Sequence, residues 1–329
     1  MTHQNDGNEI AMAARQPMVT VIIPTTRRPH LIGRAVSSVL RQTYPHFELI
    51  VVVDGPNPET RAMLAQETDP RLRVICNEEA QGAGRSRNLA AELARGTWLA
   101  FLDDDDEWLP EKLDVQLRAA GARDDVLMTC RCEVATPKGR YVWPRRLYEG
   151  REPVDEYLYG RRSFTRGEAY LATPTFMLPK ALFMNAKFGS TSQHEDTTLL
   201  LRVTKELGAE IIMVPEVLTI IHTEVSGQTL GSDYPWRSGL AWAESMGDRF
   251  TRRGFSGFCL VTLTAQAKKK NDYAAIPVLL QKAFRRGSPQ FMQLLLFCIF
   301  WAVPMDARRH VRRAVVAFGN LLRPILRRA

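Results

Sequence analysis

Little in this chain suggests a covalent scaffold or a preformed cofactor clamp. Its cysteines number five, and none of Cys76, Cys130, Cys132, Cys259 and Cys298 forms a C-x-x-C pair. That count and spacing exclude a disulfide framework and point to reduced thiols in a cytoplasmic setting. Cys130 and Cys132 read as core, because the further thiolates or imidazoles of a zinc site are not evident. Histidine is scarce, with six in 329 residues, and no serine stands in a nucleophile-elbow context. Gly82-x-Gly84 lacks the third glycine of a dinucleotide fingerprint. Pro24-Thr25-Thr26-Arg27 stands where a phosphate-binding loop would carry glycines and a lysine. The most apolar stretch, Phe291–Val303, has thirteen residues, short of the about 20 that a membrane-spanning helix needs. Residues 1–17 lack a basic region followed by an apolar core, and read as a disordered leader.

What is present is an ordinary globular composition, 45% hydrophobic and 24% charged, with a net charge of +8 that suits phosphate-bearing or anionic partners. Apolar runs at Met18–Ile23, Phe47–Val53, Leu72–Cys76 and Trp98–Leu102 read as strands. Between them lie helical patterns: one from Pro29 through Leu40, one across Glu59–Gln66 and one through Asn88–Ala94. Alternation of this kind predicts βαβ units and a parallel sheet, with ligands beyond the strands' carboxyl ends. Pro24–Arg27, Asp54 and the acidic run Asp103–Asp106 all fall at such ends.

The acidic run carries the chemistry. Four adjacent carboxylates after a buried strand must be solvated or neutralised by a cation. In an extended chain Asp103 and Asp105 share a face and Asp104 looks the other way. Two converging carboxylates suit Mg²⁺ or Mn²⁺, whose remaining positions take water and phosphate oxygens. Further on, Val126–Val134 and Tyr141–Trp143 read as a hairpin, and Tyr170–Leu178, Ile211–Val214 and Val217–Ile221 as strands. Residues 143–166, rich in Arg, Tyr and Glu without clear periodicity, read as a surface excursion or as a loop that receives a second substrate, with Thr173–Thr175 close by. From residue 226 the pattern is helical: Trp236–Phe250, Phe255–Ala267, Tyr273–Phe284 and Phe291–Val303. The last stretch, Met305–Ala329, sets Val311, Val315, Phe318, Leu322 and Ile325 at helical spacing beside seven arginines. Such a segment can lie on an anionic membrane surface, or dock as a helix on its own domain with its arginines solvated. It lacks the interleaved aromatics expected of a nucleic-acid binder.

Five blocks in order, VTVIIPTTRRP, FELIVVVDG, GAGRSRNLAAELARGTW, LAFLDDDDEWLPEKL and QHEDTTLLLRV, span residues 19–203. Together they resemble the family 2 glycosyltransferases of bacterial surface-polysaccharide synthesis. The resemblance implies a GT-A fold, an α/β Rossmann-like mixed sheet over residues 18–225, with a helical C-terminal appendage over 226–329. It implies that Pro24, Thr25, Arg27 and Asp54 bind the base and ribose of a nucleoside-diphosphate sugar, a UDP-sugar foremost. Gly84, Arg87 and Asn88 would belong to the same wall. Asp103 and Asp105 would hold the metal, Asp104 would touch the donor, and His222 would complete the metal shell. Asp196 would be the general base of a single, inverting displacement onto a saccharide or lipid-linked acceptor. Two other classes stay open at this point: a nucleotidyltransferase, and a non-catalytic sugar-nucleotide binder that could dispense with Asp196. The expected location is cytoplasmic, peripheral on the inner face of the cell membrane.

Overall fold

The computed structural model describes residues 19–164, 167–189, 193–223 and 234–303. The leader over residues 1–17 and the basic tail from Met305 lie outside them. Among the described residues the strands are β1 (Val19–Thr25), β2 (Phe47–Val53), β3 (Leu72–Cys76), β4 (Trp98–Phe101), β5 (Glu107–Trp108), β6 (Val126–Thr136), β7 (Gly139–Trp143), β8 (Met177–Pro179) and β9 (Glu210–His222). The helices are α1 (Pro29–Leu40), α2 (Pro58–Leu64), α3 (Ala83–Leu93), α4 (Lys112–Ala120), α5 (Val154–Tyr159), α6 (Lys180–Ala186) and α7 (Glu195–Leu201), then α8 (Trp236–Ser245), α9 (Arg252–Gly257), α10 (Thr264–Lys269), α11 (Ala275–Arg286) and α12 (Phe291–Ala302).

The strands form one mixed sheet in the order β3-β2-β1-β4-β8-β6-β9-β5, with β7 paired to β6. β1 runs parallel to β2 and β4, from Val19 opposite Phe47 to Thr25 opposite Val53, and with Ile22 opposite Phe101. These strands are buried throughout, as continuous apolar runs in a sheet covered on both faces should be. Successive residues face opposite cores. Ile22, Ile50, Leu99 and Phe101 join one, while Val21, Ile23, Val51 and Ala100 join the other with Ile32 and Val36 of α1 and Leu113 of α4.

Two strand readings change. Within Tyr170–Leu178 only the end pairs, because Thr173–Thr175 forms a 3₁₀ turn around Pro174 before β8 begins at Met177. The two runs at Ile211–Val214 and Val217–Ile221 fuse into β9. Opposite Cys130 and Arg131 its register jumps from Val214 to Val217, and the resulting bulge accommodates Pro215, which cannot donate to a ladder. The predicted helix Phe255–Ala267 runs through α9, a π-helical segment Phe258–Leu263 and α10. Trp242, Phe258, Leu279 and Phe297 from the C-terminal helices pack into the same core as Ile22, Phe101 and Leu199–Leu201.

Candidate active site

The acidic run leaves β4 as a turn rather than an extended chain: the Asp106 N–H donates to the Asp103 carbonyl at 3.2 Å. Asp104 points back into the sheet, where the Thr25 hydroxyl donates to it at 2.7 Å and Arg28 Nη1 approaches at 3.3 Å. Arg28 also reaches Asp105 at 2.8 Å, and the Arg34 guanidinium donates to the Asp105 carbonyl. One carboxylate oxygen from each of Asp103, Asp105 and Asp106 lies within 4.8 Å of the others. Burial pushes the Asp104 carboxyl up to about 6, with the neighbouring Asp105 and Asp103 adding to it. Burial and then the Asp103 charge raise Asp105, and Asp106 is raised further for the same reasons. The local arginines therefore do not fully compensate the cluster.

His222 lies at the edge of the acidic turn. Its Nε2 lies 2.9 Å from Glu107 Oε1, and its backbone N–H donates to Asp106 Oδ1 at 2.9 Å. The third carboxylate of the group is Asp106, brought in by the turn at 103–106.

Asp54 closes the end of β2. Its carboxylate accepts from Asn77 Nδ2 at 2.9 Å and from the backbone N–H groups of Gln81 and Gly82 at 2.9 and 2.8 Å. Burial would raise its pKa, but these hydrogen bonds outweigh burial and hold it below the usual carboxylate range. The loop 77–82 is thereby fixed against the strand ends, with Gly82 at φ 92°. Pro24 is buried within β1, whereas Arg27 is exposed in the left-handed region at φ 50°.

The α3 residues take separate roles. Asn88 exchanges two hydrogen bonds of 3.0 Å with the backbone of Phe188, tying α3 to the segment after α6. Arg87, 3% exposed, joins two acids: it donates to Asp103 and, at 2.5 Å, to Glu195. Burial would lower its pKa, but Asp103 and Glu195 reverse that and hold it firmly charged. A Cβ on Gly84 would stand 2.6 Å from Glu195 Oε2, so glycine is what lets Glu195 approach.

Asp196, in the first turn of α7, is half-buried. Burial raises its pKa, and its own N–H, Arg87 and the Thr173 backbone N–H partly offset that. Tyr170 packs edge-on against Trp143 at 5.3 Å. Its hydroxyl is raised by burial and then by surrounding negative groups, Asp106, Asp196 and Asp103 among them. Arg87 thus ties the acidic turn to the first turn of α7, where Asp196 follows Glu195. Arg28, Arg34, Asp106 and Tyr170 were not singled out from the sequence. The signal available for Asp106 was its place in the same run of four acids.

A parallel β1–β2–β4 unit extended by antiparallel β8, with acids at the carboxyl ends, defines the GT-A class of α/β transferase folds. The model of the family "Glycosyl transferase family 2" matches residues 20–186, and the chain belongs to that family. Escherichia coli WfgD, named a UDP-Glc:alpha-D-GlcNAc-diphosphoundecaprenol beta-1,3-glucosyltransferase, is 34% identical over 133 residues, 40% of this chain and 53% of that protein. The succinoglycan biosynthesis protein ExoO of Rhizobium meliloti is 33% identical over 124 residues, 38% of this chain and 36% of that protein. The chain spans about half the length of the curated relatives it matches. Among solved structures, residues 1–349 of Staphylococcus aureus TarS in complex with UDP-GlcNAc superpose with a TM-score of 0.58 at 16% identity, covering 91% of this chain and 92% of that one. That likeness is one of fold.

Proposed function

We propose that this protein is a metal-dependent, inverting glycosyltransferase that moves a sugar from a nucleoside-diphosphate donor, a UDP-sugar foremost, to a saccharide or lipid-linked acceptor. The observation that carries the reading is a three-carboxylate cluster joined through Arg87 to Glu195, the chain neighbour of a half-buried Asp196 whose pKa burial raises. Membership of the family and the donor and acceptor named for WfgD support it. The cluster fits a hard divalent cation, since it offers only oxygen ligands and holds more negative charge than its arginines neutralise. Asp103 and Asp105, joined by Asp106, would hold Mg²⁺ or Mn²⁺. A bound ion would neutralise charge developing on the departing diphosphate.

The chain's own residues do the rest. Asp54 and Thr25 shape the wall for the base and ribose, with Pro24, Arg27, Gly84, Arg87 and Asn88 around it. Asp104 lines the donor from the β1 side. Asp196 accepts the proton of the acceptor hydroxyl as its oxygen attacks the anomeric carbon. A carboxylate whose pKa burial raises is a better base than a free one. With one base and one displacement, configuration inverts. Glu195 holds Arg87 between base and cluster, and His222 keeps Asp106 in place through its backbone. Tyr170 and Trp143 border the acceptor's approach.

The same reading places the protein peripherally on the inner face of the cell membrane. No helix among the described residues is long and apolar enough to cross a membrane. α12 buries only Gln293, Leu296 and Phe297, and Phe291 at its start is 79% exposed. An apolar face of this kind beside a basic sequence supports attachment to an anionic surface.

The test of the metal site is a titration of UDP into wild type and Asp105→Ala, with and without Mn²⁺. Wild type should bind at least about tenfold more tightly with metal, a difference of about 1.4 kcal/mol, and the variant should lose that gain. Equal metal dependence in both would remove Asp105 from the site.

A further inference from the structure

The family match ends at residue 186, before Asp196, so what aims Asp196 must be sought in this chain's own packing. α7 starts from His194, which is in the left-handed region at φ 58°. Its carbonyl accepts from the N–H and the hydroxyl of Thr198, both at 2.9 Å. Its imidazole stacks on the Trp242 ring at 4.3 Å and 28°, with Phe258 edge-on at 5.1 Å. Trp242 Nε1–H donates to the Thr198 hydroxyl at 3.0 Å, and the Tyr159 and Thr197 hydroxyls share a hydrogen bond of 3.0 Å. Burial pushes the His194 pKa down to about 4, so the stacked ring is neutral at working pH. Its Nε2 is buried with no hydrogen-bond partner among the described residues. A strained backbone, an unpartnered imidazole nitrogen and a ring stack thus converge on the turn that carries Glu195 and Asp196.

We infer that Trp242 and His194 are positioning residues for the transfer reaction: through their stack the C-terminal helices fix the direction in which Asp196 faces the acceptor hydroxyl. The inference rests on the reading of Asp196 as base. α8 supplies Trp242, the π-helical segment supplies Phe258 and α5 supplies Tyr159, so three elements brace the first turn of α7. The donor wall is built on other elements, β1, β2, α3 and the turn after β4, and meets α7 only where Glu195 pairs with Arg87. Loosening the stack should therefore move the base more than the donor.

The experiment uses the full chain with Mn²⁺ and the UDP-sugar that wild type turns over best, UDP release being the readout. Trp242→Ala and His194→Gly should lower kcat by about ten- to a hundredfold, the scale of a misplacement near 1 Å, while donor KM and UDP affinity stay within about twofold. Glycine at 194 accepts the left-handed backbone, so its loss of rate reports the missing ring and not strain. Trp242→Phe, which keeps the stack, should restore most of the rate. In an Asp196→Asn background Trp242→Ala should add little further loss, since both act on one group. Amide exchange over residues 197–200 should quicken in Trp242→Ala while that of β1 does not change. Should Trp242→Ala fail to fold, His194→Gly carries the same comparison. Unchanged kcat in His194→Gly, a proportionate rise in KM, or full additivity with Asp196→Asn would overturn the inference. An Asp196→Asn protein with wild-type turnover is a distinct result, and overturns the base reading itself.

Discussion

Arg87 shows how far single residues were legible. Its place in GAGRSRNLAAELARGTW marked it as functional, but as part of a nucleotide wall; the structure sets it between Asp103 and Glu195. That bridge spans 108 residues of sequence, which no local pattern can reveal. Asp103 and Asp105 stood out in the sequence because an apolar strand ends on them, whereas Arg28 just before α1 and Arg34 within it looked like any solvated arginine. Asp106 was missed because the acids were read at a strand's period of two, and a turn resets that period. Lys112 was invisible too, as an ordinary lysine in a helix. It is fully buried, with Nζ 2.7 Å from Gln116 Oε1 and 4.1 Å from the centre of the Trp108 ring. Burial lowers its pKa to about 8, slightly opposed by Cys130. An unfolded lysine titrates near 10.4, so between about pH 8 and 10.4 the unfolded chain binds more protons and stability rises with pH. Below pH 8 the full cost of the buried charge is present. Lys112→Met should therefore raise the melting temperature at pH 7, by up to about 3 kcal/mol of stability from the shift. That advantage should shrink towards pH 10; an advantage independent of pH would assign the effect to packing instead.

At the scale of elements, the apolar runs and proline-led helix starts placed β1 to β4 and α1 correctly, because strands buried on both faces leave an unambiguous pattern. The weaker segments around β8 and β9 depended on Pro174 and Pro215, whose effect is set by tertiary pairing. Helical periodicity from residue 236 onward showed that one face is buried, but not that its partner is the core shared with β1 and α7. α3 offers a clean test of how an element serves the site. Gly84→Ala should gain helix propensity of about 1 kcal/mol, yet its Cβ would displace Glu195, which stands 2.6 Å away. The same Cβ would stand 3.3 Å from the Gly189 carbonyl oxygen and from Phe188 Cβ, which offsets that gain, so melting temperature should change little while sugar transfer falls at least about tenfold through the loosened Arg87 bridge. Unimpaired transfer would show that Glu195 does not hold Arg87 for the reaction.

For the molecule as a whole, the order of five short blocks identified the architecture, while the coupling of helices to the site came only from packing. Net charge and tail composition bear on where the protein sits. Replacing Arg308, Arg309, Arg312 and Arg313 by Gln should release it from anionic liposomes, each basic residue near such a surface contributing about 1 kcal/mol. UDP affinity should not change, and cosedimentation unaffected by the replacement would detach the tail from membrane binding. The central claim is that a metal-held donor is attacked by an acceptor deprotonated at Asp196. The direct measurement compares transfer from a UDP-sugar with Mn²⁺ by wild type and Asp196→Asn, with UDP affinity determined in parallel. The expected result is a loss of transfer of about 10²- to 10⁴-fold with UDP affinity within about twofold. Transfer at the wild-type rate by Asp196→Asn would contradict it.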